Sequence, residues 1–411
     1  MTAGADIPMA VPSQRHVIPV LGMTQILAWG SSYYLLAVLA APIAADTGWP
    51  LAWIVGGLSL GLLTAGIVSP RVGGSIQRLG GRPVLAFSAA CLGLGLAGLG
   101  LSPNLLVYIA AWLIVGIGMG AGLYDAAFAT LGRLYGLKAR SAITALTLFG
   151  GFASTLCWPL SAWLVSELGW RGACFVYAGT HLGLLMPLYL FALPREPERP
   201  MPTKPEQAQA AVGSPDARPV RASGLLFILV ALTITVSSMI SALLSVHLLT
   251  ILQARDIALA AAVALGATVG PAQVGARVIE MAISRYHHPI WTKLASTVFV
   301  TIGVGALWAG FPLISAALIF YGAGIGIESI ARGTLPLALF GEERYAVVMG
   351  RIAMPSLIAQ AAAPSVGAVL IDRFGADATL GTLLAVALTN VALVTVLFAI
   401  LPAAARGRQP A

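Results

Sequence analysis

The chain has 411 residues, of which 58% are hydrophobic and only 9% are charged, and its mean hydropathy is +0.91. About a quarter of the residues of a soluble domain are charged, so this chain cannot cover a water-exposed surface. We therefore predict an integral membrane protein. The net charge of +8 does not indicate a nucleic-acid partner, because the basic residues stand in short loops between apolar runs.

Twelve apolar runs are long enough to cross a bilayer, since a spanning helix needs about 20 residues. The runs are continuously apolar rather than alternating, which predicts helices and not the strands of a barrel. In chain order they are 17–43, 50–70, 83–101, 104–131, 141–166, 171–193, 222–250, 257–283, 292–310, 312–335, 346–371 and 377–402.

A segment rich in proline and charge, residues 195–221, separates the sixth run from the seventh and is predicted to be a flexible linker. It divides the chain into a six-helix bundle over 1–194 and another over 222–411. GMGAGLYDAAFATL at 118–131 aligns with GAGIGIESIARGTL at 322–335, which indicates an internal repeat. Such repeats are typical of transporters whose substrate site lies between the halves.

The loops on the side of the N-terminus hold most of the 23 lysines and arginines, whereas the loops on the other side hold Arg171, Arg255 and Arg373. Basic loops stay in the cytoplasm. We therefore predict a cell (inner) membrane protein with both termini and the linker in the cytoplasm.

The loop GGSIQRLGGRP at 73–83 resembles the signature G-x-x-x-D-R-x-G-R-R of the major facilitator superfamily. Its matching positions form a predicted conformational loop and are Gly73, Gln77, Arg78, Gly80 and Arg82. Gln77 replaces the acidic residue of the signature. GWRGACF at 169–175 and DRFG at 372–375 are similar to the joins before helices six and twelve in that superfamily. The resemblance implies an all-α membrane protein with 12 transmembrane helices in two six-helix, pseudo-symmetric bundles.

Arg277 stands inside the eighth run, eight residues before Arg285, which places it about 12 Å from the end of the helix. An arginine at that depth should face protein or a water-filled cavity. Its guanidinium matches a carboxylate with two parallel donors; a salt bridge between helices or a cytoplasmic gate is the alternative. Gln273 lies one turn before it and is expected to position Arg277 or to hydrogen-bond the substrate, with a contact to a neighbouring helix as the alternative. The pair is similar to helix eight of the monocarboxylate transporter family, which implies that Arg277 binds a substrate carboxylate.

Other polar residues within the runs are candidates for the lining of the substrate cavity, with packing between helices as the alternative for each. They are Gln25, Tyr33, Tyr124 and Gln360.

Four charged residues are candidates for proton coupling or gating. Glu328 and Arg332 are four residues apart, so we expect them to pair on one helix face as an inner gate. Asp125 is either a proton acceptor or the partner of an arginine such as Arg277. Glu280 is expected to make a contact at the helix end.

These observations predict a secondary transporter of a small organic anion, a monocarboxylate coupled to protons, working by alternating access. An efflux antiporter for drugs or a toxic compound such as an arsenical is an alternative, because GGFASTLCWP at 150–159 partly matches a glycine-rich antiporter signature. A non-transporting membrane sensor is a third hypothesis. The expected partners are the anion, the proton and the lipid bilayer. No enzyme, metal or phosphate-loop motif is found, so we predict no enzyme activity, no cofactor and no bound metal. We also expect the protein to be a monomer.

Overall fold

A computed structural model describes residues 13–196 and 224–401, and the secondary structure within these ranges is entirely helical. Most of the predicted linker, residues 197–221, lies outside the described residues. The helices in chain order are α1 (Gln14–Gly30), α2 (Leu36–Thr47), α3 (Leu51–Leu79), α4 (Gly81–Leu101), α5 (Leu105–Gly122), α6 (Tyr124–Tyr135), α7 (Ala139–Gly151), α8 (Ala153–Thr180, continued by π-helical turns to Ala192), α9 (Gly224–Gln253), α10 (Leu259–Gly266), α11 (Val269–Ile283), α12 (Pro289–Trp308), α13 (Ile314–Phe340) and α14 (Glu342–Ile400).

Among the described residues, eight helical segments are long and apolar enough to cross a membrane, and two of them hold several crossings. The segment Leu105–Ala192 has 88 residues and reverses direction inside α8. There the Ser161 Oγ and Tyr177 Oη atoms are 2.7 Å apart, although 16 residues of straight helix would separate them by about 24 Å. The reversal occurs at Gly169, whose φ of 70° favours a residue without Cβ.

The second long segment, α14, also turns back on itself. Ser356 and Asn390 lie far apart along α14, yet they hydrogen-bond to the adjacent residues Ser238 and Ser237 of α9. The turn lies at Gly375, where φ is 81°. With the reversal near Gly136 and the first span formed by α1 and α2, residues 13–196 and 224–401 form twelve spans. This confirms the predicted fold of two six-helix, pseudo-symmetric bundles.

Four spans that were predicted as unbroken helices are interrupted within the membrane. The first span is broken between α1 and α2, the fourth at Leu123, the fifth at Phe152 and the eighth between α10 and α11. Broken spans expose backbone groups that an intact helix would use internally, and in transporters they surround the substrate site.

The two halves, residues 13–196 and 224–401, approach most closely between spans two and eleven. A Cβ at Gly73 would overlap the Ala346 carbonyl oxygen, and a Cβ at Gly350 would overlap that of Ser69. Glycine at both positions therefore allows the backbones to touch. We call the side that holds Gly73, Gly136 and Glu196 the linker face, and the other side the opposite face.

Hydrogen bonds between the halves gather toward the linker face. Arg140 Nη1 donates to the His287 carbonyl at 2.7 Å, and the Leu137 amide donates to Glu342 at 3.2 Å. At the opposite face, the ion pairs of the described residues stay within one half: Asp46 pairs with Arg171, and Arg255 pairs with Asp377. The structure is thus joined across the halves on the linker side.

Candidate functional site

Arg277 lies on α11 and is 5% exposed. Its Nε donates to the Gly326 carbonyl of span ten at 3.0 Å, and its Nη1 donates to the Thr147 carbonyl of span five at 3.1 Å. Nη2 makes a long contact of 3.4 Å with the Gln273 side chain. The guanidinium therefore lies between the halves, with one backbone acceptor on each side.

Arg277 has no carboxylate partner in the described part of the chain, because none of the ion pairs found there includes it. Its three acceptors are neutral carbonyl and amide oxygens. A buried charge is costly when no opposite charge offsets it. The site is thus chemically suited to an anion.

Two adjacent glycines of span five leave room for this arrangement. A Cβ at Gly151 would overlap Arg277 Nη1, and a Cβ at Gly150 would overlap the Tyr124 hydroxyl. The Tyr124 hydroxyl donates to the same Thr147 carbonyl that accepts from Arg277, at 3.4 Å. The glycine pair that suggested an antiporter signature thus has a local packing role.

Aromatic rings from spans one, four and five form a wall beside Arg277. The Trp29 ring centroid is 5.2 Å from Tyr33, 6.1 Å from Tyr34 and 5.0 Å from Tyr124. Tyr34 makes an edge contact with Trp158 at 6.2 Å. Of these rings, the sequence interpretation singled out Tyr33 and Tyr124, and the structure brings both beside Trp29.

The predicted glutamine ligands occupy different environments. Gln273 is beside Arg277. Gln25 is fully buried and donates to the Gly122 carbonyl at 2.6 Å, so in this conformation it packs span one on span four instead of lining a cavity. Gln360 is half-buried and contacts Ser356 within its own helix.

Asp125 pairs with Arg332 across the two halves. The Arg332 Nε and Nη2 atoms are each 2.8 Å from one of the carboxylate oxygens, which makes the contact bidentate. Arg332 also donates to the hydroxyls of Ser238 and Ser356 at 3.0 and 2.8 Å. The partner of Asp125 is therefore Arg332 and not Arg277.

The predicted pair of Glu328 with Arg332 is wrong for this conformation. Glu328 binds Lys293 of span nine at 2.5 Å and accepts from the Ser296 hydroxyl at 2.8 Å. Lys293 is fully buried, although the sequence analysis counted it among the basic residues of the cytoplasmic side, at the start of the run 292–310. It was missed because the helix begins at Pro289, earlier than predicted, which draws Lys293 into the bundle.

Glu280 is buried near the linker face and holds the loop that follows α11. It accepts from the Thr292 hydroxyl at 2.7 Å and lies 3.6 Å from His287 Nε2. The Glu280 carboxylate raises the pKa of His287, while burial lowers the pKa of His288 to about 4. Because Arg140 donates to the His287 carbonyl, this loop also joins the halves.

The predicted loop over residues 73–83 is helical except at Gly80, because α3 continues to Leu79 and α4 begins at Gly81. This connection between spans two and three obtains a carboxylate from outside its signature. Gln77 carries no charge, but Arg133 donates to the Ile76 and Gln77 carbonyls and to Glu196 Oε2, the last at 2.6 Å. Glu196 Oε1 accepts from the Gly81 amide at 3.0 Å. Glu196, at the start of the linker, thus holds spans three, four and six together. Sequence analysis missed both Arg133 and Glu196 because it assigned them to solvent-exposed segments.

The Major Facilitator Superfamily model matches residues 21–354. The transcription regulatory protein OpdE of Pseudomonas aeruginosa is 33% identical over 150 residues, which is 35% of this chain and 36% of that protein. The chain thus spans about a third of this curated relative.

Two solved structures share the fold. The human organic anion transporter MFSD10 (TETRAN) superimposes with a TM-score of 0.71 at 18% sequence identity. The alignment covers 93% of this chain and 100% of the chain of that structure. The proton:xylose symporter XylE has a TM-score of 0.71 at 12% identity, with coverage of 96% and 97%. At these identities the likeness shows the fold alone. The match over residues 21–354 shows that this chain belongs to the Major Facilitator Superfamily, a superfamily of secondary transporters and not of enzymes.

Proposed function

We propose that this protein transports a small organic anion, a monocarboxylate, by alternating access and with proton coupling. The observation that carries the proposal is Arg277, a buried cation between the halves whose acceptors in the described chain are all neutral. A carboxylate would supply the missing charge through charge-assisted hydrogen bonds, which are roughly twice as strong as neutral ones.

The Nε atom is held by Gly326 and fixes the plane of the guanidinium, while Nη2 makes only the long contact with Gln273. A carboxylate would bind at the edge that carries Nη1 and Nη2, where it would replace the bond from Nη1 to the Thr147 carbonyl. The Tyr124 hydroxyl points to the same Thr147 carbonyl and lies within reach as a further donor.

Asp125 supports the proton-coupling part of the proposal. The Asp125–Arg332 pair joins the halves toward the linker face, so that face cannot open until the pair separates. Separation leaves a carboxylate without its cation, and protonation of that carboxylate removes the buried charge. Taking up a proton at Asp125 would thus accompany opening of the linker face.

The test is uptake of labelled monocarboxylates by proteoliposomes, with and without an inward proton gradient. We expect uptake that the gradient accelerates and that falls at least tenfold in Arg277→Lys, because an ammonium cannot make the bidentate contact. Arg285→Lys, in an exposed turn two helical turns away, is the matched control and should transport normally. Normal transport by Arg277→Lys with unchanged affinity would overturn the role of Arg277. If no carboxylate binds or moves, the carboxylate proposal fails and efflux of a drug or an arsenical becomes the leading alternative.

A membrane sensor is a second candidate function, favoured by the 150 residues that resemble the transcription regulatory protein OpdE. A sensor would bind the anion without moving it. In the same liposomes, binding with no accumulation in either direction would support the sensor over the transporter.

A further inference from the structure

A cavity of about 450 Å³ that is open to the surface lies between spans one and five, on the opposite-face side of Arg277. Its wall is largely apolar and includes Ala37, Val38, Trp158, Pro159 and Ala162. The hydroxyl-bearing residues Ser154 and Thr155 complete it. Binding pockets for small molecules have volumes of roughly 300–1,000 Å³ and are mainly apolar with a few polar groups.

This cavity and Arg277 adjoin the same face of span five. The interruption of span five at Phe152 is slight, because its φ and ψ of −88° and −1° stay near helical values and its carbonyl accepts from the Leu156 amide at 3.0 Å. Residues 147, 151, 155, 158 and 162 recur at helical spacing and therefore lie on one side of the span. Thr147 accepts from Arg277, and Gly151 lies against its Nη1 atom. The cavity is thus a continuation of the Arg277 site toward the opposite face.

The aromatic wall makes the same connection from span one. Tyr124 shares the Thr147 carbonyl with Arg277 and contacts Trp29, whose ring lies 6.1 Å from Tyr34. Tyr34 then contacts Trp158 at the cavity. A continuous surface of aromatic rings therefore runs from the cation to the cavity.

We propose that this cavity holds the organic body of the transported anion, and that the substrate is an arylalkanoate or a similar carboxylate with an extended apolar body. The proposal rests on the proposed function, because it assumes that Arg277 holds the carboxylate. Gly151 and Trp158 are seven residues apart, or about 10 Å along the helix. An acid whose aromatic group is separated from its carboxylate by several methylene groups extends from Arg277 toward Trp158, whereas acetate occupies only the part of the site beside Arg277.

The test is binding of acetate and of 4-phenylbutyrate to the purified, lipid-reconstituted full chain by isothermal calorimetry. We expect wild-type protein to bind 4-phenylbutyrate at least tenfold more tightly than acetate. Trp158→Ala should weaken 4-phenylbutyrate binding about tenfold, which corresponds to about 1.4 kcal/mol, and leave acetate binding unchanged.

Two further variants sharpen the result. Trp163→Ala is the matched control, because Trp163 is 59% exposed and its position on span five lies well around the helix from that of Trp158. It should bind both acids as the wild type does. Ala37→Phe places a ring in the cavity and should exclude 4-phenylbutyrate while sparing acetate.

The outcomes separate the two proposals. If neither acid binds, the proposed function fails, and this inference fails with it. If acetate binds as tightly as 4-phenylbutyrate, or if Trp158→Ala weakens both equally, the carboxylate site stands and the apolar-body inference is overturned.

Discussion

Asp125→Asn should open the linker face by weakening the ion pair that joins the halves there. The side chains of Arg332 and Asp125 are 13% and 15% exposed, so the pair is largely buried. Breaking a buried pair by removing one charge costs about 3–5 kcal/mol. Asparagine keeps one acceptor oxygen and Arg332 keeps its two serine partners, so we expect a smaller cost of about 2 kcal/mol. Because the pair exists only while the linker face is closed, this cost shifts the closed-to-open ratio roughly 30-fold toward open.

The assay is a distance measurement between spin labels at Leu137→Cys and Glu343→Cys in lipid nanodiscs. Both positions are exposed at the linker face, and the Leu137 amide bonds to Glu342 across the halves, so the labels start close together. The native cysteines are buried and free. We expect a short distance in the wild type and a second, longer distance in Asp125→Asn.

Asp46→Asn is the control, because Asp46 pairs with Arg171 inside one half at the opposite face. It removes the same charge without touching a contact between halves, and the distances should not change. A wild-type distance distribution in Asp125→Asn, or a loss of thermal stability with no change in distance, would refute the assignment of the cost to the closed state.

Two further predictions concern the neighbours of Arg277 and the loop at the linker face. Gly151→Ala should weaken anion binding about tenfold or more, because its Cβ displaces the Arg277 guanidinium. Gly179→Ala is the control, because the space around Gly179 is open. An unchanged affinity of Gly151→Ala in calorimetry would contradict this displacement. The pKa of His287 is raised above its ordinary value of 6.5, chiefly by the hydrogen bond to Glu280. The contact should therefore stabilise the folded protein fully below pH 6.5, and this stabilisation should be lost as the pH rises through the raised pKa of His287. Melting temperatures should therefore fall more steeply above that pH in the wild type than in His287→Gln; superimposed profiles would disprove this.

The fold could be predicted from sequence because the bilayer imposes a simple rule. Each crossing needs a long apolar run, and twelve such runs with a polar linker leave few architectures. The depth of Arg277 followed from the same rule, as a count of residues from the end of a helix. Both are local properties, so they can be derived from the sequence without knowing which helices pack together.

The partners of the charges could not be predicted in the same way, because they depend on which spans meet. Asp125 and Arg332 are more than 200 residues apart and join only when spans four and ten pack together. Lys293 was counted on the cytoplasmic side, because a single lysine at the edge of an apolar run is equally compatible with solvent and with a buried acid. Glu328 and Arg332 are one helical turn apart, but each forms its ion pair with a residue of another span, Glu328 with Lys293 and Arg332 with Asp125.

The contacts of Arg277 suggest how binding at the centre of the protein reaches the linker face. Its Nη1 atom donates to Thr147 in the other half, so the closed arrangement and a bound carboxylate compete for the same donor. A carboxylate is the stronger acceptor, and its binding would replace a bond between halves by a bond to the substrate. Coupling of this kind is reciprocal, so a closed linker face lowers anion affinity by the factor by which the anion favours opening. Binding would then leave the Asp125–Arg332 pair as the one ion pair between the halves among the described residues, and the proposed protonation of Asp125 would separate it.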